Sequence, residues 1–137
     1  MSEQINIQQI MQDSSQDAVS FAKERYNYDL DFSDSSVTLV NNIISGIDAL
    51  SIDDKDLFTL SYIFGAYVGE VFIKQVGGAW LFQEETEDEP PQTFVKINEN
   101  TIAFPSKVYH LLMGTEDQAL DEYFAELVVS HKKSSTQ

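Results

Sequence analysis

Apolar residues recur every three or four positions through the first half of the chain, which is the pattern of amphipathic helices. This pattern predicts a first helix over residues 5–25 and a second that starts at a Ser33 cap and ends near Leu50. A third helix is predicted over residues 57–76, where apolar side chains cover more than half of the circumference. We therefore expect the third helix to be the buried centre of the domain, flanked by the first two helices and covered by a sheet.

The periodicity changes after Gly77 and Gly78, a pair that ends the third helix. Three short strands are predicted, over residues 79–82, 93–97 and 101–104. Because the connections between them are short, we expect an antiparallel meander.

Helical patterns return after the third strand. Pro105 fits the first turn of a short helix over residues 106–113, and Thr115 caps a last helix that ends near residue 129. This order of helices, meander and helices predicts an α+β protein. The predicted boundaries are one domain over residues 1–130 and a frayed tail over residues 131–137.

The composition narrows the class of protein. The chain has 137 residues, of which 42% are hydrophobic, so it can bury a core of its own. It has no cysteine, which excludes disulfides, thiolate metal sites and cysteine nucleophiles. No basic and apolar leader is visible, and Glu70 and Lys74 interrupt the most apolar stretch. We expect a cytoplasmic protein with no cofactor.

The charge bears on possible partners. The formal net charge is −15, from 23 acidic and 8 basic residues. A protein that binds nucleic acid or an anionic membrane neutralises phosphates with Lys and Arg, so neither partner is expected here. The same charge favours solubility and attracts basic proteins.

Five carboxylates fall within six consecutive residues between the first two predicted strands: Glu84, Glu85, Glu87, Asp88 and Glu89. One interpretation is a docking loop for a basic partner. The other is a solvated hairpin loop that protects the sheet from edge pairing. An EF-hand is not indicated, because its spaced ligands and glycine are missing.

Three motifs occur in a fixed order: Phe64-Gly65-Ala66-Tyr67-Val68-Gly69-Glu70-Val71, then Gly77-Gly78-Ala79-Trp80, then Phe104-Pro105 at the start of a helix. In this order they resemble a family of small bacterial proteins of uncharacterised function. The resemblance covers roughly residues 54–127. Because that family has no assigned activity, the resemblance implies a fold and carries over no catalytic residues.

Glu70 interrupts an apolar run, and it is open to three interpretations. A carboxylate among apolar side chains has a raised pKa and can act as a general acid. Alternatively, Glu70 pairs with Lys74 one turn later, or it caps backbone amides near the end of the helix. The neighbouring spacing of Gly65 and Gly69 is interpreted as close helix packing, since a phosphate loop needs a flanking Lys and Ser.

The aromatic residues Trp80, Phe82 and Phe94 could line a ligand groove beside the helix face that carries Tyr67, or they could simply be core. The two histidines, His110 and His131, do not have the spacing of a zinc site. No metal site is therefore predicted.

We predict a non-enzymatic interaction module that binds a basic protein, one form of which is an immunity-type protein that masks a cationic toxin. The candidate binding residues are the five clustered acids together with Glu70 and Trp80. The alternative is a small-molecule binder or small enzyme that uses Glu70 beside the Trp80 strand. Glu70 at the base of an open pocket would favour this alternative, whereas a pair with Lys74 on a flat acidic face would favour the module. The oligomeric state stays open.

Overall fold

The structure, a computed structural model, describes residues 6–135. The elements are α1 (Ile7–Tyr26), α2 (Asp34–Ser45), α3 (Asp54–Gln75), β1 (Ala79–Gln83), β2 (Gln92–Ile97), β3 (Asn100–Ile102), α4 (Phe104–Met113) and α5 (Leu120–Ser135). The predicted α+β class is confirmed, with a long central helix and an antiparallel sheet of order β1-β2-β3. The predicted start of the first helix at residue 5 lies outside the described residues.

The second helix is shorter than predicted. It ends at Gly46, and Leu50 belongs instead to a separate 3-10 turn, Ala49–Ser51. The Asp48 carboxylate accepts the N–H of Leu50 at 3.0 Å, a local bond that favours a turn over a continued helix. Ser33 occupies the N-cap position as predicted, but its hydroxyl donates to Asp31 rather than capping the helix.

The third helix forms the centre of the domain. It starts at Asp53, whose carboxylate accepts the N–H of Asp56, and it ends before Gly77 and Gly78, which have φ values of +118° and +101°. By length and composition α3 could cross a membrane. However, 67% of its most apolar window is buried inside the structure, as expected for a core helix.

The flanking of α3 by the first two helices is uneven. The third helix packs mainly against α1 and α4, whereas α2 packs mainly against α5 and touches α3 at fewer places, one of which is the hydrogen bond between Ser36 and Tyr67. A Cβ added to Gly65 would overlap Pro105 of α4, and one added to Gly69 would overlap the indole of Trp80. Close packing, as predicted, therefore accounts for the spacing of these two glycines.

The inner face of the sheet is buried. Trp80 lies opposite Val95, which in turn lies opposite Ile102, and all three side chains are buried. The third strand is shorter than predicted, because Phe104 already belongs to α4. Pro105 sits in the first turn of that helix, as its fixed backbone angle favours.

The free edge of β1 is covered by one side chain of α1. The Gln8 amide donates from Nε2 to the Trp80 carbonyl at 2.9 Å, and Gln8 Oε1 accepts the Trp80 N–H at 3.2 Å. The Gln8 side chain therefore substitutes for one residue of a neighbouring strand.

The last helix starts later than predicted. The Thr115 hydroxyl bonds to the carbonyl of His110 rather than capping a helix, and α5 begins at Leu120. The N–H of Leu120 donates to Oδ1 of Asn41 in α2 at 3.0 Å. A side chain from another helix therefore satisfies the start of α5, which sequence spacing could not indicate.

The chain continues as a helix beyond residue 129, to Ser135. His131, which falls in the predicted frayed tail, is 8% exposed. Its ring packs edge-on against Phe72 at 5.8 Å, and its Nδ1 lies 3.0 Å from the Leu127 carbonyl oxygen. This part of the predicted tail is therefore packed against the core, while residues 136–137 lie outside the described residues.

Candidate functional site

Glu70 and Trp80, both candidate binding residues, are in direct contact. The indole Nε1–H of Trp80 donates to Oε2 of Glu70 at 2.7 Å. Among residues 6–131 with 49 left aside, whose side chains the structure describes, Lys74 forms no ion pair, so the Glu70–Lys74 pair that was one interpretation of Glu70 is not formed. An indole supplies the partner instead, and it comes from a strand rather than from the same helix.

The surroundings of Glu70 suit a structural contact. Trp80 is 4% exposed and lies directly against Gly69, so the hydrogen bond holds β1 onto α3. Glu70 is half-buried, and it lines neither of the two grooves described below. Glu70 is therefore not at the base of an open pocket, which is the position that would have favoured an acid–base role.

The acidic loop (residues 84–89) forms the tip of the β1–β2 hairpin, and its carboxylates are all exposed. Thr86 orders the loop, since its hydroxyl accepts the N–H groups of Asp88 and Glu89 at 3.2 and 3.0 Å. The N–H of Thr86 also donates to the Glu89 carbonyl at 2.8 Å. The ion pairs found among the described residues involve none of these carboxylates, so their charge is available to a partner.

A groove of about 400 Å³ lies where this hairpin meets α3 and α4. Four aromatic side chains from three elements, α3, β1 and α4, line it: Phe58, Tyr62, Phe82 and Tyr109. The three prolines of the chain line it as well: Pro90, Pro91 and Pro105. We call it the hairpin groove.

The hairpin groove differs from the predicted aromatic groove. Of the three predicted strand residues only Phe82 lines it. Trp80 is packed against Gly69, and Phe94 pairs with Leu81 on the other face of the sheet. Tyr67 is fully buried. Trp80, Phe94 and Tyr67 therefore do not share a groove, and for Trp80 and Tyr67 the alternative interpretation as core is the one observed.

The hairpin groove is apolar with hydroxyl groups in its walls. Burial raises the pKa of Tyr62, an effect that a hydrogen bond with Thr93 opposes, so the phenol remains protonated at neutral pH. Ser61 donates its hydroxyl to the Leu57 carbonyl at 2.9 Å. The ionisable side chains among the groove-lining residues are the phenols of Tyr62 and Tyr109.

A second groove, of about 580 Å³, lies between α2 and α5. Its walls combine apolar residues such as Phe124 with the carboxylates of Asp34, Asp121 and Glu122. The Thr38 hydroxyl donates to Asp121 at 3.3 Å across it. This bond joins the two helices. The second groove shares no lining residue with the hairpin groove.

A buried cation lies at the junction of α4 and α5. Lys107 Nζ is 3.0 Å from Glu116 Oε2 and 4.4 Å from the centre of the Tyr123 ring, and its side chain is 6% exposed. The hydrogen bond from Lys107 lowers the pKa of Glu116, and burial raises the pKa of Tyr123. Since both neighbours satisfy the ammonium group, the cluster holds the two helices together.

Metal binding finds no support in the part of the chain that the structure covers. No group of three or more His, Cys, Asp or Glu side chains there could hold an ion. His110 contacts Thr115, and His131 contacts Asn100 and Leu127, so the two histidines serve separate parts of the fold.

The sequence analysis missed three of the four groove rings: Phe58, Tyr62 and Tyr109. One signal was present in the sequence. Phe58 and Tyr62 are four residues apart on α3, so their rings lie side by side on the helix surface, in addition to the aromatic residues of its buried face. Phe58 is 65% exposed, as such a surplus position would be. The contribution of Tyr109 depends on how α4 packs on α3 and has no local signal.

Comparison of the chain with protein-family models, with curated proteins and with solved structures found no match.

Proposed function

We propose that this protein is a non-enzymatic interaction module that binds a basic segment of another protein. Apolar side chains of that segment occupy the hairpin groove, and its Lys and Arg side chains face the acidic loop. One observation carries the proposal, namely that Pro90 and Pro91 line the groove and directly follow Glu89, the last carboxylate of the loop. An apolar site and a concentrated negative charge are thus adjacent on one hairpin.

The two parts of this surface have different physical roles. Exposed carboxylates attract a cationic partner from a distance and mainly increase the association rate. Burial of apolar side chains between the groove rings then sets the lifetime of the complex. The overall charge of −15 acts in the same direction as the loop. An immunity-type protein that masks a basic toxin is one form of such a module.

Two observations favour binding over catalysis. Glu70, the residue on which an enzymatic alternative rests, accepts a hydrogen bond from Trp80 and lines neither groove. The groove itself contributes tyrosines as its only ionisable side chains. Both features suit a surface that recognises a partner without changing it chemically.

A random-peptide display selection against the full chain tests the proposal. We expect enriched peptides to combine Lys or Arg with apolar residues, and to lose binding to a Phe58→Arg variant. Phe58 is 65% exposed, so this change places a repulsive charge at the groove without disturbing the core. Leu50→Arg is the matched control, because Leu50 is 96% exposed and does not line the groove. Peptides that bind both variants equally well would contradict the proposal.

Neutralising the loop tests the role of its charge. Five substitutions remove it: Glu84→Gln, Glu85→Gln, Glu87→Gln, Asp88→Asn and Glu89→Gln. We expect slower association with an enriched peptide and a weaker dependence of that rate on salt. A control of equal net charge neutralises five exposed acids elsewhere: Asp13, Asp17, Glu24, Glu99 and Glu126. Equal rates for the two variants in stopped-flow measurements would show that the position of the charge is unimportant.

A further inference from the structure

We infer that the hairpin groove recognises a basic segment in the polyproline II conformation, with prolines of the segment stacked on the groove rings. This inference rests on the proposed function and specifies the conformation and composition of the partner. Three features of the groove support it: its hydrogen-bonding groups, its four rings that do not pack against one another, and the acidic loop next to its proline wall.

The groove offers side-chain donors but few backbone ones. Prolines have no N–H group, and three of them line the walls. The wall residues of α3 lie inside that helix and use their backbone groups within it. A partner strand would therefore find few N–H groups to pair with along the α3 and proline walls.

Hydroxyl groups line the groove on Tyr109 and Ser106, whereas that of Tyr62 already bonds to Thr93. A helical partner has already satisfied its carbonyl groups internally, so it would leave these donors unused. A polyproline II segment has no internal hydrogen bonds and presents free carbonyl oxygens along its length. The donors of the groove thus match this conformation better than a helix or a strand.

The groove rings do not pack against one another. No stacking or edge-to-face contact joins any two of Phe58, Tyr62, Phe82 and Tyr109, although all four line one groove. Tyr109 makes its ring contact with His110, edge-on at 5.6 Å, rather than with another ring of the groove. Proline side chains are flat, and aromatic grooves bind them at a low entropic cost because the segment is already extended.

The position of the acidic loop also fits such a segment. The loop ends at Glu89, directly before Pro90 and Pro91 of the groove wall, and lies to one side of the groove. Cations of the segment should therefore flank its prolines rather than alternate with them. We therefore expect a cluster of Lys or Arg at one end of a proline-containing stretch.

The peptides enriched in the display selection test this inference. We expect them to carry prolines two or three positions apart beside a basic cluster. In one such fluorescein-labelled peptide, replacing the prolines by alanine should weaken binding by about tenfold in an anisotropy titration, through lost stacking and pre-organisation. A Tyr109→Phe variant keeps the ring and loses the donor, so it should weaken binding by about threefold, while Tyr26→Phe, a change of an exposed tyrosine outside the groove, should have no effect.

The outcomes separate the inference from the proposed function. Enriched basic peptides that lack proline, or that keep their affinity after the alanine replacement, would overturn the inference and leave the interaction module standing. A helical circular dichroism spectrum of the bound peptide would likewise overturn the inference and leave the interaction module standing. A selection that enriches nothing over the Phe58→Arg variant would overturn both.

Discussion

The contact between Gly69 and Trp80 leads to a quantitative prediction about stability. A Cβ added at Gly69 would overlap two carbons, Cη2 and Cζ2, of the six-membered ring of the indole. The indole cannot easily move aside, because its Nε1–H is held by Glu70 at 2.7 Å and because Trp80 is 4% exposed. Gly69→Ala should therefore force the indole of Trp80 out of its position against α3.

The magnitude follows from two opposing effects. Overpacking a closed core typically costs about 1–3 kcal/mol. Alanine is favoured over glycine within a helix by about 1 kcal/mol, which offsets part of that cost. Because the added Cβ would overlap carbons of a ring rather than the end of a flexible chain, the overpacking cost should lie in the upper half of its range, about 2–3 kcal/mol. After the helix gain is subtracted, we expect Gly69→Ala to lower the free energy of unfolding by about 1–2 kcal/mol. Gly65→Ala should lower it at least as much, because its added Cβ would meet the backbone of Pro105.

Chemical denaturation followed by circular dichroism at 222 nm measures this effect. Fluorescence is unsuitable, since the one tryptophan of the chain is the residue that moves. Gly46→Ala is the control, because Gly46 has an ordinary φ of −90° and an added Cβ would find its nearest atoms at 3.6 and 3.7 Å. It should be neutral or slightly stabilising.

A second background isolates the contact itself. In a Trp80→Leu protein the obstructing ring is gone, so adding Gly69→Ala should no longer destabilise. If Gly69→Ala is as stable as the wild type, or if its penalty is unchanged in the Trp80→Leu background, the packing argument is refuted.

Three further predictions concern separate parts of the core. Tyr67→Phe removes a fully buried hydroxyl with two hydrogen bonds, each of 2.7 Å, and should cost about 1–3 kcal/mol in urea unfolding. Phe64→Ala truncates a fully buried ring and should cost about 3–5 kcal/mol by the same measurement. The folded-state pKa of Glu116 lies below its ordinary value of 4.5 because of Lys107, so its contribution is complete above that value and is lost as pH falls through the folded-state pKa. Unfolding curves between pH 7 and pH 3 should therefore show a smaller loss of stability for Glu116→Gln than for the wild type.

Periodicity identified the elements because it is a local property of the chain. The long apolar helix and the meander follow from spacing within each segment, and the structure has both. The ends of elements were less predictable, because distant side chains determine several of them. At the start of α5, Asn41 of α2 accepts the first N–H of the helix. At its other end, Phe72 of α3 packs against His131, which lies beyond the predicted end of α5.

The candidate site was predictable only in part, for the same reason. The acidic loop is continuous in sequence, so its charge was evident. The hairpin groove combines rings from residues 58, 62, 82 and 109, whose proximity depends on how three elements pack. Glu70 is a similar case. Oppositely charged residues four positions apart on a helix often pair, which indicated Lys74 as the partner of Glu70. The folded chain instead brings the indole of Trp80 within hydrogen-bonding distance.

The Gln8 amide that covers the edge of β1 has a consequence for the folding of the chain. Gln8 and Trp80 are 72 residues apart, and contacts of such separation form late because they close a long loop. Until α1 docks, the N–H and C=O groups of Trp80 are a bare strand edge, able to pair with the same edge of another chain. Association between molecules should therefore be fastest early in refolding, before α1 has docked against β1.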